Sequence, residues 1–187
     1  MKTTFAIAAL LFAGALAAPT DKTGLKCRKV GDSKKLVVDS LSDNKKVPAG
    51  FSGKFMDGKY PQLAVTLTHE IDQKFSFYEC EPPSRDFEGG SRGLIVSDDR
   101  PGMCLTVKGV DGRNADQGYD VNNGRVSLQP CKHAHDADLE RQWFYLNYDQ
   151  VMFSGKDNTR GDVALLGPVV ALMPGPSIET PNILEFQ

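Results

Sequence analysis

The side chains best equipped for chemistry in this chain are four cysteines, Cys27, Cys80, Cys104 and Cys131, and a cluster in the stretch KHAHDAD that sets His133 and His135 beside Asp136 and Asp138. An even number of cysteines with no C-x-x-C pair reads as a disulfide framework rather than a zinc or redox site, and four cysteines allow three pairings. His133 and His135 would share a face if their segment were a strand, which is the arrangement a transition metal needs. The short polar residues around them read instead as a surface turn. The loop from Gly109 to Gly124, GVDGRNADQGYDVNNG, offers the oxygens of Asp111, Asn114, Asp116 and Asp120, yet its spacing fits no EF-hand and its composition is that of a hairpin loop. No metal and no cofactor is expected. The remaining histidine, His69, has no serine or cysteine nucleophile motif to serve, and no motif marks a pair of glycosidase carboxylates, whose separation is a spatial property. The expectation is a non-enzymatic protein. Arg160-Gly161-Asp162 matches the integrin-recognition tripeptide and is expected in a polar turn between strands.

The elements that must position these residues follow a leader. Residues 1–18 carry Lys2, an apolar run from Phe5 to Leu16 and an Ala15-x-Ala17 pattern, which predicts a secretory signal peptide and a secreted, extracellular product. That run is shorter than the roughly 20 residues needed to span a bilayer, so membrane insertion is not expected. A net charge of −2 with scattered lysines excludes a nucleic-acid stripe and a polybasic membrane patch. Residues 19–187 have the length of one domain.

Short apolar or alternating runs recur along that domain, among them KLVVDSL, LAVTL, KFSFYEC, RGLIVS, MCLTV, RVSLQPC, VALLG and NILEF, each closed by turn residues. No segment keeps a 3.6-residue apolar period through three turns, so the class is all-β. GLIVSDDRPGMCLTV and QVMFSGKDNTRGDVALLG repeat one strand, turn and strand order; RVSLQPC aligns with KFSFYEC before it and VVALMPG after it. RDF, RQWFYL and NILEF then close units of about 25–92, 93–146 and 147–187. Leu105, Val107, Val126, Leu128, Trp143 and Tyr145 are expected to alternate inward, with Trp143 a core anchor.

The middle unit, with CLTV, VSLQPC and QWF, resembles a repeat of the ricin B-type lectin family. The resemblance implies a β-trefoil of three four-strand repeats with pseudo-threefold symmetry. Placing Cys104 and Cys131 within one unit favours the pairs Cys27–Cys80 and Cys104–Cys131. In that family an Asp on the C-x-D-V strand, an aromatic before the second cysteine and an Asn/Gln near the Q-x-W turn hold the sugar. Here those positions carry Thr106, Gln129, and Glu140 with Arg141; the Asp position is Ala64 in the first unit and Ala164 in the third, whose aromatic position is Met173. Tyr78 alone keeps the aromatic. The expected function is carbohydrate binding through non-standard loop sites, with Tyr78, Arg85, Thr106, Gln129 and Arg141 as candidate contacts and a glycan or an extracellular protein as partner. The alternatives are a protease inhibitor or effector-like binder on the same fold, and a polysaccharide-active enzyme or its accessory module.

Overall fold

The computed structural model describes residues 24–40, 45–66, 72–81, 90–108, 124–134, 136–154, 161–174 and 182–187. The expected leader, Arg85, His69, His135 and the loop 109–123 lie outside the described residues. In chain order the strands are β1 (Lys26–Lys34), β2 (Leu36–Ser40), β3 (Lys45–Gly50), β4 (Met56–Asp57), β5 (Tyr60–Pro61), β6 (Ala64–Val65), β7 (Phe75–Glu81) and β8 (Ser91–Ser97). They continue as β9 (Met103–Val107), β10 (Val126–Pro130), β11 (Phe144–Asn147), β12 (Gln150–Phe153), β13 (Gly161–Leu166), β14 (Val169–Pro174) and β15 (Asn182–Phe186), with a 3₁₀ turn, Ala137–Gln142, before β11. The molecule is all-β, and every strand pairing is antiparallel. Among the described residues no helix is long and apolar enough to cross a membrane.

The pairings close on themselves. β1 lies against β7, β7 against β8, β8 against β11, β11 against β12, and β12 against β15. β15 returns to β2, which follows β1 after Lys35 alone, and Lys35 and Gln187 exchange two backbone hydrogen bonds of 2.9 Å. A circuit of this kind leaves no bare edge between its first and last strands, which removes a site of edge-to-edge aggregation. β3 pairs with β6, β9 with β10, and β13 with β14. β6, β10 and β14 then converge: the Leu63 amide donates to Val126 (2.8 Å), the Val170 amide to Leu63 (2.9 Å) and the Leu172 amide to Gly124 (2.7 Å). Only glycine fits at 124, because a Cβ there would run into the Leu172 carbonyl.

Strands of the large sheet feed the main core, where Phe75, Phe77, Ile95, Phe144, Phe153 and Leu184 of the circuit meet Leu63, Leu105, Val126, Leu128 and Leu172. A second, smaller cluster sits apart from it, built from Leu25, Cys80, Leu94, Val96, Cys104 and Leu139, with Cys27, Tyr78, Cys131 and Trp143 packed on it. Both disulfides belong to this cluster, and they are the expected pairs, Cys27–Cys80 and Cys104–Cys131.

Three local expectations are corrected. Leu105, Val107, Val126 and Leu128 do point into the main core, but Phe144 takes that place on β11, so alternation turns Trp143 and Tyr145 to the other face. Trp143 is half-buried against the second cluster. KFSFYEC does not take the place of RVSLQPC: β7 pairs with β1 and β8, as β11 pairs with β8 and β12, while β6 takes the position beside β3. The two segments share alternation and a closing cysteine, but Cys80 is bonded across β1 and Cys131 across its own β-hairpin. Ala64 accordingly faces Gly50 and Val169 rather than standing where Thr106 stands on β9. Gly161 and Asp162 of the RGD tripeptide are in β13, paired with Phe153 and Met173, and not in a turn; Arg160 lies outside the described residues.

Candidate functional site

The residues singled out on β9 and β10 meet in a buried polar network rather than on a surface. On β9, Leu105 and Val107 face the main core, which turns Cys104 and Thr106 to the opposite side, where Thr106 is opposite Ser127. Thr106 is 2% exposed and Gln142 is fully buried. Gln142 reaches this spot because the 3₁₀ turn before β11 delivers its side chain inward. Its amide nitrogen donates to Thr106 Oγ1 (2.8 Å) and the Pro130 carbonyl (3.0 Å), and its Oε1 accepts from the Lys132 amide (2.8 Å). Thr106 Oγ1 donates in turn to the Cys104 carbonyl (3.2 Å), so its one proton and a lone pair are both engaged. Gln129 donates to Ser127 Oγ (2.8 Å), and Ser127 Oγ to the Thr106 carbonyl (3.4 Å). Thr106, expected where a ricin B-type repeat holds its sugar, thus has its hydroxyl engaged by the protein's own amide. Gln142 escaped the sequence reading, although it is adjacent to Trp143 in the very motif that carried the resemblance.

The other candidates lie around the second cluster. Tyr78 is half-buried on it, and burial, with the Asp98 carboxylate nearby, pushes its phenol above the ordinary value. Arg141 stands near Asp138 (3.5 Å) at the edge of the 3₁₀ turn. Trp143 presents one ring face to Arg92, whose guanidinium carbon is 4.9 Å from the ring centroid; burial lowers the Arg92 pKa. Next to these, Glu79 accepts from Arg28 (2.7 Å) and Ser91 (2.9 Å), and those two contacts hold its carboxyl below the ordinary value. The His133 segment is a turn closed by the His133 amide on Asp136 Oδ2 (2.8 Å) and the Asp136 amide on the His133 carbonyl (3.0 Å). Among the described residues no group of three or more His, Cys, Asp or Glu side chains is placed to hold a metal ion.

A concave site exists elsewhere, where β1, β7, β11 and β15 come together. It encloses about 200 Å³. Its floor is apolar, made by Val30, Phe77, Leu146 and Phe186, and its rim carries Asp32, Lys34, Tyr148 and Asp149. Tyr148 and Asp149 form the two-residue turn between β11 and β12, fixed by the pairing of Asn147 with Gln150. Tyr148 is 90% exposed and has a φ of 53°, the only non-glycine with a positive φ among the described residues. The equivalent place in the β13–β14 turn is held by Gly167, with a φ of 62°. The turn is tied down on two sides: the Phe186 amide donates to the Asp149 carbonyl (2.8 Å), and Lys34 Nζ donates to Asp149 Oδ1 (2.6 Å). Nothing in the sequence pointed to this grouping.

No protein-family model matches the chain, and no curated protein matches it either.

Proposed function

We propose that the chain is a secreted, non-enzymatic binding protein with a ricin B lectin-like β-trefoil fold, whose carbohydrate recognition has moved away from the family's usual positions. The fold reading is supported by the order of the pairings. β2-β3-β6-β7, β8-β9-β10-β11 and β12-β13-β14-β15 each run first strand to second, second to third, and fourth back to first, the first group doing so through Lys34 opposite Phe75. β6, β10 and β14 also contact one another, as capping β-hairpins of such a fold would. Two disulfides are in keeping with an oxidising compartment.

The observation that carries the functional reading is the hydrogen bond from Gln142 to Thr106 Oγ1. A sugar hydroxyl needs an acceptor with free lone pairs facing solvent, and this site gives its capacity to an internal amide. The test is a glycan array run beside a panel of extracellular proteases. Binding to glycans that is indifferent to Thr106→Val supports recognition at another surface. Nanomolar protease inhibition with no glycan signal replaces the reading with an inhibitor on the same fold.

A further inference from the structure

The geometry points to the concavity beneath Tyr148 as a saccharide site that seats one neutral pyranose ring, an inference that rests on the carbohydrate-binding reading and assigns it a place. At about 200 Å³ the hollow is smaller than the roughly 300–1,000 Å³ of sites for drug-sized ligands, and suits a single ring. A pyranose has an apolar C–H face and an edge of hydroxyl donors. The floor, with Phe77 and Leu146, meets the first requirement; the carboxylates of Asp32 and Asp149 on the rim, which only accept, meet the second.

Charge narrows the ligand further. Asp149 is already paired with Lys34, so an ammonium entering here would meet the lysine, and an anion would meet two carboxylates. A neutral polyol meets neither penalty. An aliphatic side chain of a protein partner would suit the floor but supply no donors for the rim.

Tyr148 is the element that folding does not explain. Its ring is almost wholly in water, and its backbone occupies the region that Gly167 occupies in the matching turn, where a bulky residue is disfavoured. A side chain kept there against both preferences is placed to stack on a ligand, and the Phe186 amide and Lys34 hold its turn in one position beforehand.

The experiment is an array of neutral oligosaccharides, with calorimetric titration of the strongest binder against wild-type protein, Tyr148→Phe, Tyr148→Gly and Asp149→Asn, and thermal melts of each. The expected result is binding by wild type and Tyr148→Phe, a loss of about tenfold or more in Tyr148→Gly and Asp149→Asn, and a melting temperature for Tyr148→Gly at or above wild type. Glycan binding by wild type that both weakened variants retain overturns this site while leaving the carbohydrate reading intact. No binding by wild type to any neutral glycan overturns both.

Discussion

Thr106 and Gln142 show how a polar position on β9 can be closed by the chain's own side chain. Gln142 is fully buried and uses both its amide proton pair and its carbonyl, and each of these groups would cost about 1–3 kcal/mol if stranded. Placing a carboxylate there with Thr106→Asp should therefore create no sugar site. It should bury a charge beside Gln142 and lower unfolding free energy by about 2–4 kcal/mol, read by urea denaturation; a sugar-binding, stable variant would refute the filled-site account. A second residue-scale prediction concerns Glu79. Its carboxyl is held below the ordinary value of 4.5 by Arg28 and then Ser91, so its contribution is complete above that value and is lost as pH falls through the lower folded-state value. Glu79→Gln should thus narrow the stability difference between neutral and acid pH, by less than about 1 kcal/mol given the exposed Arg28 partner. Denaturation midpoints from pH 7 down to 3 would show it, and an unchanged slope would count against it.

At the level of elements, the second cluster makes the two disulfides a single structural feature. Cys27–Cys80 ties β1 to β7, and Cys104–Cys131 closes β9 on the segment after β10, both against Leu25, Leu94 and Leu139. For Cys104–Cys131, a sequence separation of 27 gives a loop-closure stabilisation of about 3–4 kcal/mol in the chain-entropy model. The double variant Cys104→Ala/Cys131→Ala should lose about that much by calorimetry while Cys27–Cys80 still forms on non-reducing peptide maps. The same cluster explains why Trp143 was misplaced by alternation. Period-two patterning says that Trp143 and Tyr145 share a face and that Phe144 takes the other, but it does not say which face meets the larger core. That choice was made by β11 pairing with both β8 and β12, which buries Phe144 against Phe153, ring centroids 5.8 Å apart.

For the whole molecule, the decisive contacts are those where β6, β10 and β14 converge. Gly124→Ala would push a methyl group into the Leu172 carbonyl and pry that junction apart. We expect a loss of about 1–3 kcal/mol in unfolding free energy, larger than for Gly58→Ala, where a Cβ would meet no neighbour and only the turn's positive φ resists it; equal effects would mean the junction tolerates the strain. The all-β class was legible from short alternating runs, because alternation is a local property of an extended backbone and needs no partner to be seen. The number of cysteines and the absence of paired C-x-x-C spacing likewise announced disulfides, and the repeat around CLTV and VSLQPC marked the β9–β10 β-hairpin. Which strand faces which was beyond the sequence, and KFSFYEC was misaligned for that reason: its neighbours are fixed by hydrogen bonds to chain far away. The candidate site was less legible still. Gln142 lies 36 residues from Thr106, and the hollow under Tyr148 joins Asp32 and Lys34 to Asp149, which Lys34 pairs across 115 residues. Sequence alone determined the all-β class, many of the strands and the cysteines as a disulfide framework, since those follow from local geometry and residue chemistry. Only the tertiary structure decided that Thr106 is buried against Gln142 and that a hollow lies open under Tyr148, because both depend on how a closed circuit of strands brings distant side chains into contact.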